Sequence, residues 1–177
     1  MQRITINPNQ IRDELIALTV EQHHYLTRVI RLQSGGQFQA IDGTGALYLA
    51  KITTEHSQPL AQIINIMPAN VDGAEPLADR ELPQPIILIC ALPKGNNFDD
   101  IVRACTELGV TTILPAISDR TLLHPSPQKH QRWCKIAQEA AEQSERLTIP
   151  IIEEPQSLQS IFSRLPVGSY KYLCEAR

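Results

Sequence analysis

Residues 85–116 read PIILICALPKGNNFDDIVRACTELGVTTILPA, and this stretch decides the fold of the second half of the chain. Ile86 to Leu92 is a continuous apolar run, as expected for a strand buried on both faces. A helix is predicted to begin at Asn97, with two aspartates in its first turn, and to end at Gly109. Val110 to Ala116 is the next predicted strand. The order of strand, helix and strand indicates a mainly parallel α/β sheet.

The same alternation continues towards the C-terminus. Pro127, with Ser126 before it, is a helix start signal, and the helix is predicted to run to about Leu147. The later predicted elements are a strand at Thr148 to Ile152, a helix at Ser157 to Leu165 and a strand at Tyr170 to Cys174. Because that last strand lies three residues from residue 177, we expect an α/β domain whose C-terminal part is missing.

The first half of the chain has a different pattern of predicted secondary structure, with short strands and one helix. Thr19 and Gln22 form a capping-box pattern that opens a helix, and this helix is predicted to run through Arg28 and Arg31 to Ser34. Strands are predicted at Gln37 to Ile41, Ala46 to Thr53 and Leu60 to Met67, the first two forming a hairpin. Residues 1 to 70 are therefore predicted to form a compact, β-rich, barrel-like module.

The segment between the halves reads PANVDGAEPLADRELPQP, residues 68–85. It contains four prolines, and its apolar residues follow neither a helical nor a strand periodicity, which is typical of an interdomain linker. The predicted domains are residues 1–70 and 85–177, with a linker at 71–84.

Composition limits the possible functions. The net charge is −3 and the pI about 5.9, so nucleic-acid binding would depend on local basic patches. The longest apolar run is far shorter than the ~20 residues that span a bilayer, and the N-terminus has no apolar signal core. The four cysteines form no C-x-x-C pair and are predicted to be buried, reduced thiols rather than metal ligands. Together these features predict a soluble cytoplasmic protein without a metal site.

The helix predicted from Pro127 has two distinct faces at 100° per residue. The apolar face is predicted to carry Trp133, Ile136, Ala137, Ala140, Ala141, Ser144 and Leu147, and the polar face Arg132, Lys135, Glu139, Glu142, Gln143 and Arg146. The polar face is interpreted as solvated, with ion pairs along it. The end of a crossover helix lies opposite the edge where open α/β sheets bind ligands. Gln143 and Arg146 are therefore expected at a dimer or RNA surface rather than at a reacting group.

Loops that follow the predicted strands are better candidates for chemistry. They carry Lys94-Gly95-Asn96, Ser118-Asp119-Arg120, and Glu175 with Arg177, and parallel strands would bring them to one edge as a substrate pocket. The alternative is that these loops are simply polar. A Rossmann dinucleotide site is not expected, because no G-x-G-x-x-G motif follows the first strand.

Two arginines in the first half suggest a phosphate contact. Arg28 and Arg31 lie three residues apart on the predicted helix, near Tyr25. The two arginines could bind phosphates while a base stacks on the aromatic ring. The alternative is a surface helix with scattered charge. His23 and His24 are weak evidence for a metal, because adjacent residues on a helix point apart.

Three stretches together resemble one family: HHYLTRVIRLQSGGQFQAIDGTG (23–45), ALPKGNNFDDIVRACTELGVTTILPAISDR (91–120) and QRWCKIAQEAAEQSERLTIP (131–150). In this order and spacing they are similar to the bacterial small-subunit ribosomal RNA uridine-N3 methyltransferases, of the SPOUT class. The resemblance implies a PUA-like RNA-binding barrel followed by a trefoil-knot methyltransferase domain. It also implies S-adenosylmethionine as methyl donor, a cofactor site in the knot, ribosomal RNA as partner and a homodimer. Gln143 and Arg146 are implied to matter to the family.

The sequence departs from that family at its end, where the glycine-rich G-P-E-G-G segment of the knot is missing. The chain is therefore expected not to bind S-adenosylmethionine with useful affinity, and its α/β half to be marginally stable or self-associating. N3 of uracil keeps its proton at neutral pH, so a base and a cation would be needed beside it. Glu175 is the candidate base and Arg120 or Arg177 the candidate cation. The candidates for RNA or substrate binding are Arg28, Arg31, Lys94, Arg120, Gln143 and Arg146. One alternative function is a non-enzymatic RNA-binding protein with a dimerising α/β half. The other is a different small-molecule α/β enzyme, for which the sequence shows no motif.

Overall fold

The computed structural model describes residues 1–53, 59–67, 81–119, 121 and 125–174. They form an N-terminal unit, residues 1–67, and an α/β unit that begins at residue 81. The predicted linker at 71–84 lies mostly outside the described residues. Its last part does not behave as a linker, because Glu81 and Leu82 both contact the α/β unit.

The N-terminal unit has six strands: β1 (Arg3–Thr5), β2 (Ile11–Arg12), β3 (Leu15–Ala17), β4 (Gln37–Ile41), β5 (Leu47–Thr53) and β6 (Leu60–Met67). They form one sheet in the order β1-β4-β5-β6-β3-β2, in which only the β1–β4 pair is parallel. Side chains alternate across the sheet, so Phe38, Ala50 and Ile52 face the core while Gln37 and Lys51 face outward. The three strands predicted by range, which are β4, β5 and β6, and the β4–β5 hairpin are confirmed.

The helix of the N-terminal unit begins as predicted and ends earlier. Helix α1 (Val20–His24) has the expected capping box, in which Thr19 and Gln22 bond to each other's backbone N–H. It continues as one wide π-turn over Tyr25–Val29, and Arg31 follows outside the helix with a left-handed φ of 62°. The prediction that Arg28 and Arg31 share a helix face is therefore wrong, because the wide turn and the reversal at Arg31 break the 3.6-residue period. Both side chains are exposed.

The α/β unit is built on a parallel sheet, as predicted. Its elements are β7 (Ile87–Ala91), α2 (Asn97–Glu107), β8 (Thr112–Ile117), α3 (Pro127–Gln143), β9 (Ile151–Ile152), β10 (Gln156–Ser157) and α4 (Leu158–Ser163). Strand β8 is central, with β7 on one side and β9 and β10 in succession on the other. Apolar side chains of α2 and α3 pack on the sheet around Trp133, the largest fully buried side chain among the described residues.

Two expectations for the end of the chain and for the thiols are wrong. Tyr170 to Cys174 is not a strand; it pairs with no strand in the described part of the chain, and Tyr170 and Leu173 are each 91 % exposed. A segment with the composition of a strand forms one only where a neighbouring strand supplies hydrogen-bond partners for its backbone. All four cysteines are free, but only Cys90 and Cys105 are half-buried, whereas Cys134 and Cys174 are exposed.

The two units meet at the residues that follow α3. Leu147 packs with Ile41 and Leu47 in a fully buried cluster on the outer face of the N-terminal sheet. The backbone N–H of Ile149 donates to the carbonyl of Gly43 at 3.0 Å, and Thr148 forms a β-bridge with Thr44. The β4–β5 hairpin therefore hydrogen-bonds directly to the backbone of the α/β unit.

Gly43 is expected to be the glycine most sensitive to substitution where the two units meet. Its φ is 74°, and an added Cβ would lie 2.9 Å from Cδ1 of Ile149. Gly43→Ala should lower the free energy of unfolding by about 2–3 kcal/mol, since left-handed strain of about 1–3 kcal/mol combines with this contact. Urea denaturation measures the loss.

The matched control is Gly35→Ala, at a φ of 78° with nothing within 4 Å of the added Cβ. It carries the same backbone strain without the contact, and a loss of about 1 kcal/mol is expected. Equal losses for the two variants would show that Ile149 moves aside freely and that the two units are not tightly packed at Gly43.

Candidate functional site

Two of the predicted loops do meet at one edge of the sheet. Strands β7 and β8 are neighbours and parallel, so the loops after them share the carboxyl edge. Lys94 is exposed in the first loop, and Ser118 closes the second by accepting the backbone N–H of Thr121 at 2.9 Å. Asp119 is exposed beside it. Tyr170 to Cys174 does not join the sheet, so no strand at these residues leads a third loop to this edge. Glu175 and Arg177, the residues of that predicted loop, lie outside the described residues.

The first turn of α3 holds two loops of this edge. Nζ of Lys129 donates to the carbonyl of Gly95 at 2.8 Å. Nε2 of His130 lies 2.8 Å from the carbonyl of Ile152 and donates to it, while Nδ1 lies 3.3 Å from Oε1 of Glu154. Sequence reasoning missed both roles, because they depend on where β7 and β9 end relative to α3.

A buried carboxylate locks α2 onto α3 beneath the first loop. Oδ1 of Asp99 accepts from Nε1 of Trp133 at 3.1 Å, and Oδ2 accepts from Nε and Nη2 of Arg132 at 2.9 and 2.8 Å. Asp99 is only 6 % exposed, and the Phe98 ring meets Trp133 edge-on at 4.5 Å. The first-turn aspartate, predicted as a partner for the helix dipole, thus also joins the two helices.

An open groove of about 490 Å³ runs between α2 and α3. Its three carboxylates are balanced by three cations, so it offers no net charge for an ionic ligand. The lining residues are Asn96, Asn97, Asp99, Asp100, Arg103, Arg132, Lys135, Ile136 and Glu139.

Arg146 is inside the protein, which corrects its assignment to an RNA or substrate surface. It is 2 % exposed, and its Nη1 donates to the carbonyls of Thr106 and Val110 at 2.9 Å each. Helix α3 ends at Gln143, and Glu145 has a left-handed φ of 59°, so the chain reverses before Arg146 and turns its side chain inward. Gln143, the last helical residue, is exposed as predicted. The other predicted apolar-face residues of α3 from Trp133 to Ala141 are buried.

Glu81 is the anionic partner of Arg146. Its Oε2 accepts from Nη2 of Arg146 at 2.7 Å, and its Oε1 accepts from the backbone N–H groups of Leu147 and Thr148 at 2.9 and 3.0 Å. One carboxylate, six residues ahead of β7, therefore fixes the start of the α/β unit to the segment that holds the N-terminal unit. We refer to Glu81, Arg146, Leu147 and Thr148 as the junction.

The Glu81 carboxylate makes the junction sensitive to acid. Burial raises its pKa, but the hydrogen bonds from Arg146 and Thr148 and the charge of Arg146 outweigh burial, and the net pKa is below the ordinary 4.5. A depressed pKa adds stability above the unfolded-state pKa, and that stability is lost as the pH falls through the folded-state value. The free energy of unfolding should therefore decrease below about pH 4.5.

Glu81→Gln should flatten this acid dependence while keeping an oxygen that can accept the two backbone N–H groups. The measurement is urea denaturation of both proteins from pH 3 to pH 7, a range chosen to bracket the ordinary carboxyl pKa of about 4. A Glu81→Gln variant that loses stability in acid as steeply as the unaltered protein would show that other carboxylates control the transition.

Arg120, Glu175 and Arg177, the candidates for the chemical step, lie outside the described residues. No group of histidine, cysteine or acidic side chains in the described ranges is arranged to hold a metal ion. Among the same residues, no helix has the length and apolar character needed to cross a membrane.

Family models match both units. A model for an RNA methyltransferase domain matches residues 80–177, and one for an RNA methyltransferase PUA domain matches residues 18–64. The fold is thus that of an RNA methyltransferase of the SPOUT-like α/β type preceded by a PUA-like domain. The chain belongs to the RNA methyltransferase domain family, whose model covers more than half of it.

Relatives of known name agree with this family. The chain is 41 % identical over 153 residues to ribosomal RNA small subunit methyltransferase E of Synechocystis, covering 86 % of this chain and 47 % of the relative. It is 28 % identical to the Bacillus subtilis protein of that name, covering 93 % and 64 %. The structure of methyltransferase E from Neisseria gonorrhoeae bound to S-adenosyl methionine has the same fold, with a TM-score of 0.78, 24 % identity, and coverage of 94 % and 66 %. The chain spans about half to two thirds of the length of these relatives.

Proposed function

We propose that this protein acts in the S-adenosylmethionine-dependent methylation of a uridine at N3 in small-subunit ribosomal RNA. The observation that carries the proposal is the match of both units to RNA methyltransferase models, together with the names of the relatives. The proposal includes a homodimer and a cytoplasmic location, where ribosomal RNA is modified.

The two units support a division of labour. The N-terminal unit would hold the RNA, with Arg28 and Arg31 as exposed cations at the end of its helix. Lys94 and Gln143 are exposed on the α/β unit and remain candidates for substrate contact. For the reaction, N3 of uracil must lose its proton and approach a methyl group at about 3–3.5 Å. Glu175 as base, with Arg120 or Arg177 as the stabilising cation, is proposed for that step.

The described residues alone do not fit S-adenosylmethionine. A cofactor of this size needs a largely apolar cleft with a few placed polar groups. At the carboxyl edge Lys94, Gly95 and Asn96 are exposed, and the groove between α2 and α3 is lined by charges of both signs. These exposed loops favour the second candidate function, a non-enzymatic RNA-binding protein.

Deletion of the encoding gene tests the proposed reaction. Mass spectrometry of nucleosides from small-subunit ribosomal RNA should show that 3-methyluridine is lost, and plasmid-borne expression of the gene should restore it. Unchanged 3-methyluridine in the deletion strain would overturn the proposed reaction. If the purified chain then still retained ribosomal RNA, the non-enzymatic function would hold instead.

A further inference from the structure

The register of the N-terminal sheet places four long polar side chains in one line. Arg12 lies opposite Leu15, Leu15 opposite Gln62, Gln62 opposite Lys51, and Lys51 opposite Gln37. Side chains directly opposite each other on paired strands lie on the same face. Their neighbours along the strands, such as Ala50, Ile52 and Ala61, face the core, so this line crosses the outer face.

The side chains of this line, which we call the polar row (Arg12, Gln62, Lys51 and Gln37), make no hydrogen bond or ion pair within the part of the chain that the structure describes. Other glutamines of the same unit are engaged. Gln10 and Gln22 bond to each other, and Gln39 accepts from the guanidinium of Arg3. Arg12 and Gln37 are exposed, and Lys51 and Gln62 are partly so. The row therefore presents amides and cations to an external ligand.

The positive charge and the length of the polar row suit a ligand that is an extended polyanion. Strands lie about 4.8 Å apart, so Arg12 and Lys51, three strands from each other, are separated by about 14 Å along the row. Asp13 and Glu14 lie in the β2–β3 turn beyond Arg12, so the anionic ligand is centred on Lys51 rather than on the turn.

We propose that the polar row binds the ribose-phosphate backbone of RNA, with Arg12 and Lys51 on phosphates and Gln37 and Gln62 on phosphate or 2′-hydroxyl oxygens. This rests on the proposed function, since it supplies the RNA-binding surface of the N-terminal unit. The row lies on the face that also carries Ile41 and Leu47, four residues further along the strands. That spacing is about 14 Å, so RNA on the row passes beside the α/β unit.

Charge reversal tests the cations of the row. Each phosphate contact to a single strand contributes about 0.7 to the slope of log K against log salt, so Arg12→Glu/Lys51→Glu should weaken binding about 25-fold at 0.1 M salt and lower the slope by about 1.4. The probe is a single-stranded oligouridylate, and binding to the full chain is measured by fluorescence anisotropy between 50 and 400 mM salt, a range over which such contacts change affinity by about tenfold or more.

The control is Lys135→Glu/Lys171→Glu, which makes the same charge change at exposed positions of the α/β unit. It should leave the slope unchanged. Equal effects of the two double variants would mean that only net charge matters, and the row would be rejected. Thermal unfolding confirms that both variants are folded.

The glutamines provide an independent readout. Gln37→Ala/Gln62→Ala should leave the salt slope unchanged but reduce the preference for RNA over DNA of the same sequence, because the 2′-hydroxyl distinguishes the two. An unchanged RNA/DNA ratio would remove the glutamines from the proposal. If the unaltered chain bound no RNA, the RNA-binding part of the proposed function would fail. If the unaltered chain bound RNA and the Arg12→Glu/Lys51→Glu variant bound it equally well, only the proposal that the polar row binds RNA would be rejected.

Discussion

Arg146→Met is expected to lower the free energy of unfolding by about 3–5 kcal/mol, as is typical when one partner of a buried ion pair is removed. The methionine leaves the Glu81 carboxylate without its cation and removes the guanidinium donor from the carbonyls of Thr106 and Val110. The Thr106 carbonyl still accepts from the backbone N–H of Gly109. A loss of this size is a large fraction of the 5–15 kcal/mol, roughly, that stabilises a typical domain. Urea denaturation followed by the fluorescence of Trp133, the single tryptophan, measures it.

Lys135→Met is the matched control, because it also replaces a cation of the same helical region by methionine. Lys135 is exposed and lies 4.0 Å from Glu139 in an (i, i+4) pair. Such pairs contribute about 0.5 kcal/mol or less. If Arg146→Met were no more destabilising than Lys135→Met, the junction would contribute no more to stability than a surface ion pair, and the proposed role of the buried pair would be rejected.

Trp133→Ala is expected to be equally severe, with a loss of about 3–5 kcal/mol for a buried tryptophan. The substitution opens a cavity against Phe98 and also removes the Nε1 donor of Asp99. Far-UV circular dichroism during urea denaturation follows the loss, since the fluorescent side chain is absent from the variant. Weaker packing of α2 against α3 should also make the loop around Gly95 more mobile. Backbone amides of that loop should then exchange their hydrogens faster.

Trp133→Phe separates packing from hydrogen bonding in the same side chain. A phenylalanine fills most of the space but leaves Oδ1 of Asp99 without its donor, so a loss of about 1.5–3 kcal/mol is expected for a bond to a charged group. Should the alanine and phenylalanine variants unfold at the same urea concentration, packing around the ring would be unimportant, contrary to the buried cluster seen here.

Periodicity and capping patterns were enough to predict much of the fold. The Thr19–Gln22 capping box, the β4–β5 hairpin and the buried face of α3 all depend on residues close in sequence, and all are confirmed. The predicted positions of Arg31 and Arg146 are wrong because the helix has ended before each of them. Arg31 itself has a left-handed φ, and Arg146 follows Glu145, which also has one. A helical projection assumes that the helix continues through such residues. The strand expected at Tyr170 to Cys174 failed because a strand also requires a partner.

The candidate site was less predictable because its contacts join distant segments. Glu81 is 65 residues from Arg146, and nothing in the proline-rich stretch around it indicates a buried ion pair. Likewise, Arg12, Lys51 and Gln62 are scattered in the sequence and come into line only through the pairing of β2, β3, β6 and β5. Register, rather than residue type, creates that surface.

The short segment after α3 belongs to both sheets at once. Thr148 pairs with the hairpin of the N-terminal unit, and Ile151, three residues later, pairs with β8. A rotation of one unit against the other would have to break these backbone bonds together with the Glu81–Arg146 pair, so the two units share one rigid frame. If RNA lies along the polar row, that frame acts as a molecular ruler: the separation between the anchored backbone and the carboxyl edge is set by strand length, and a target nucleotide would be selected by its distance along the RNA.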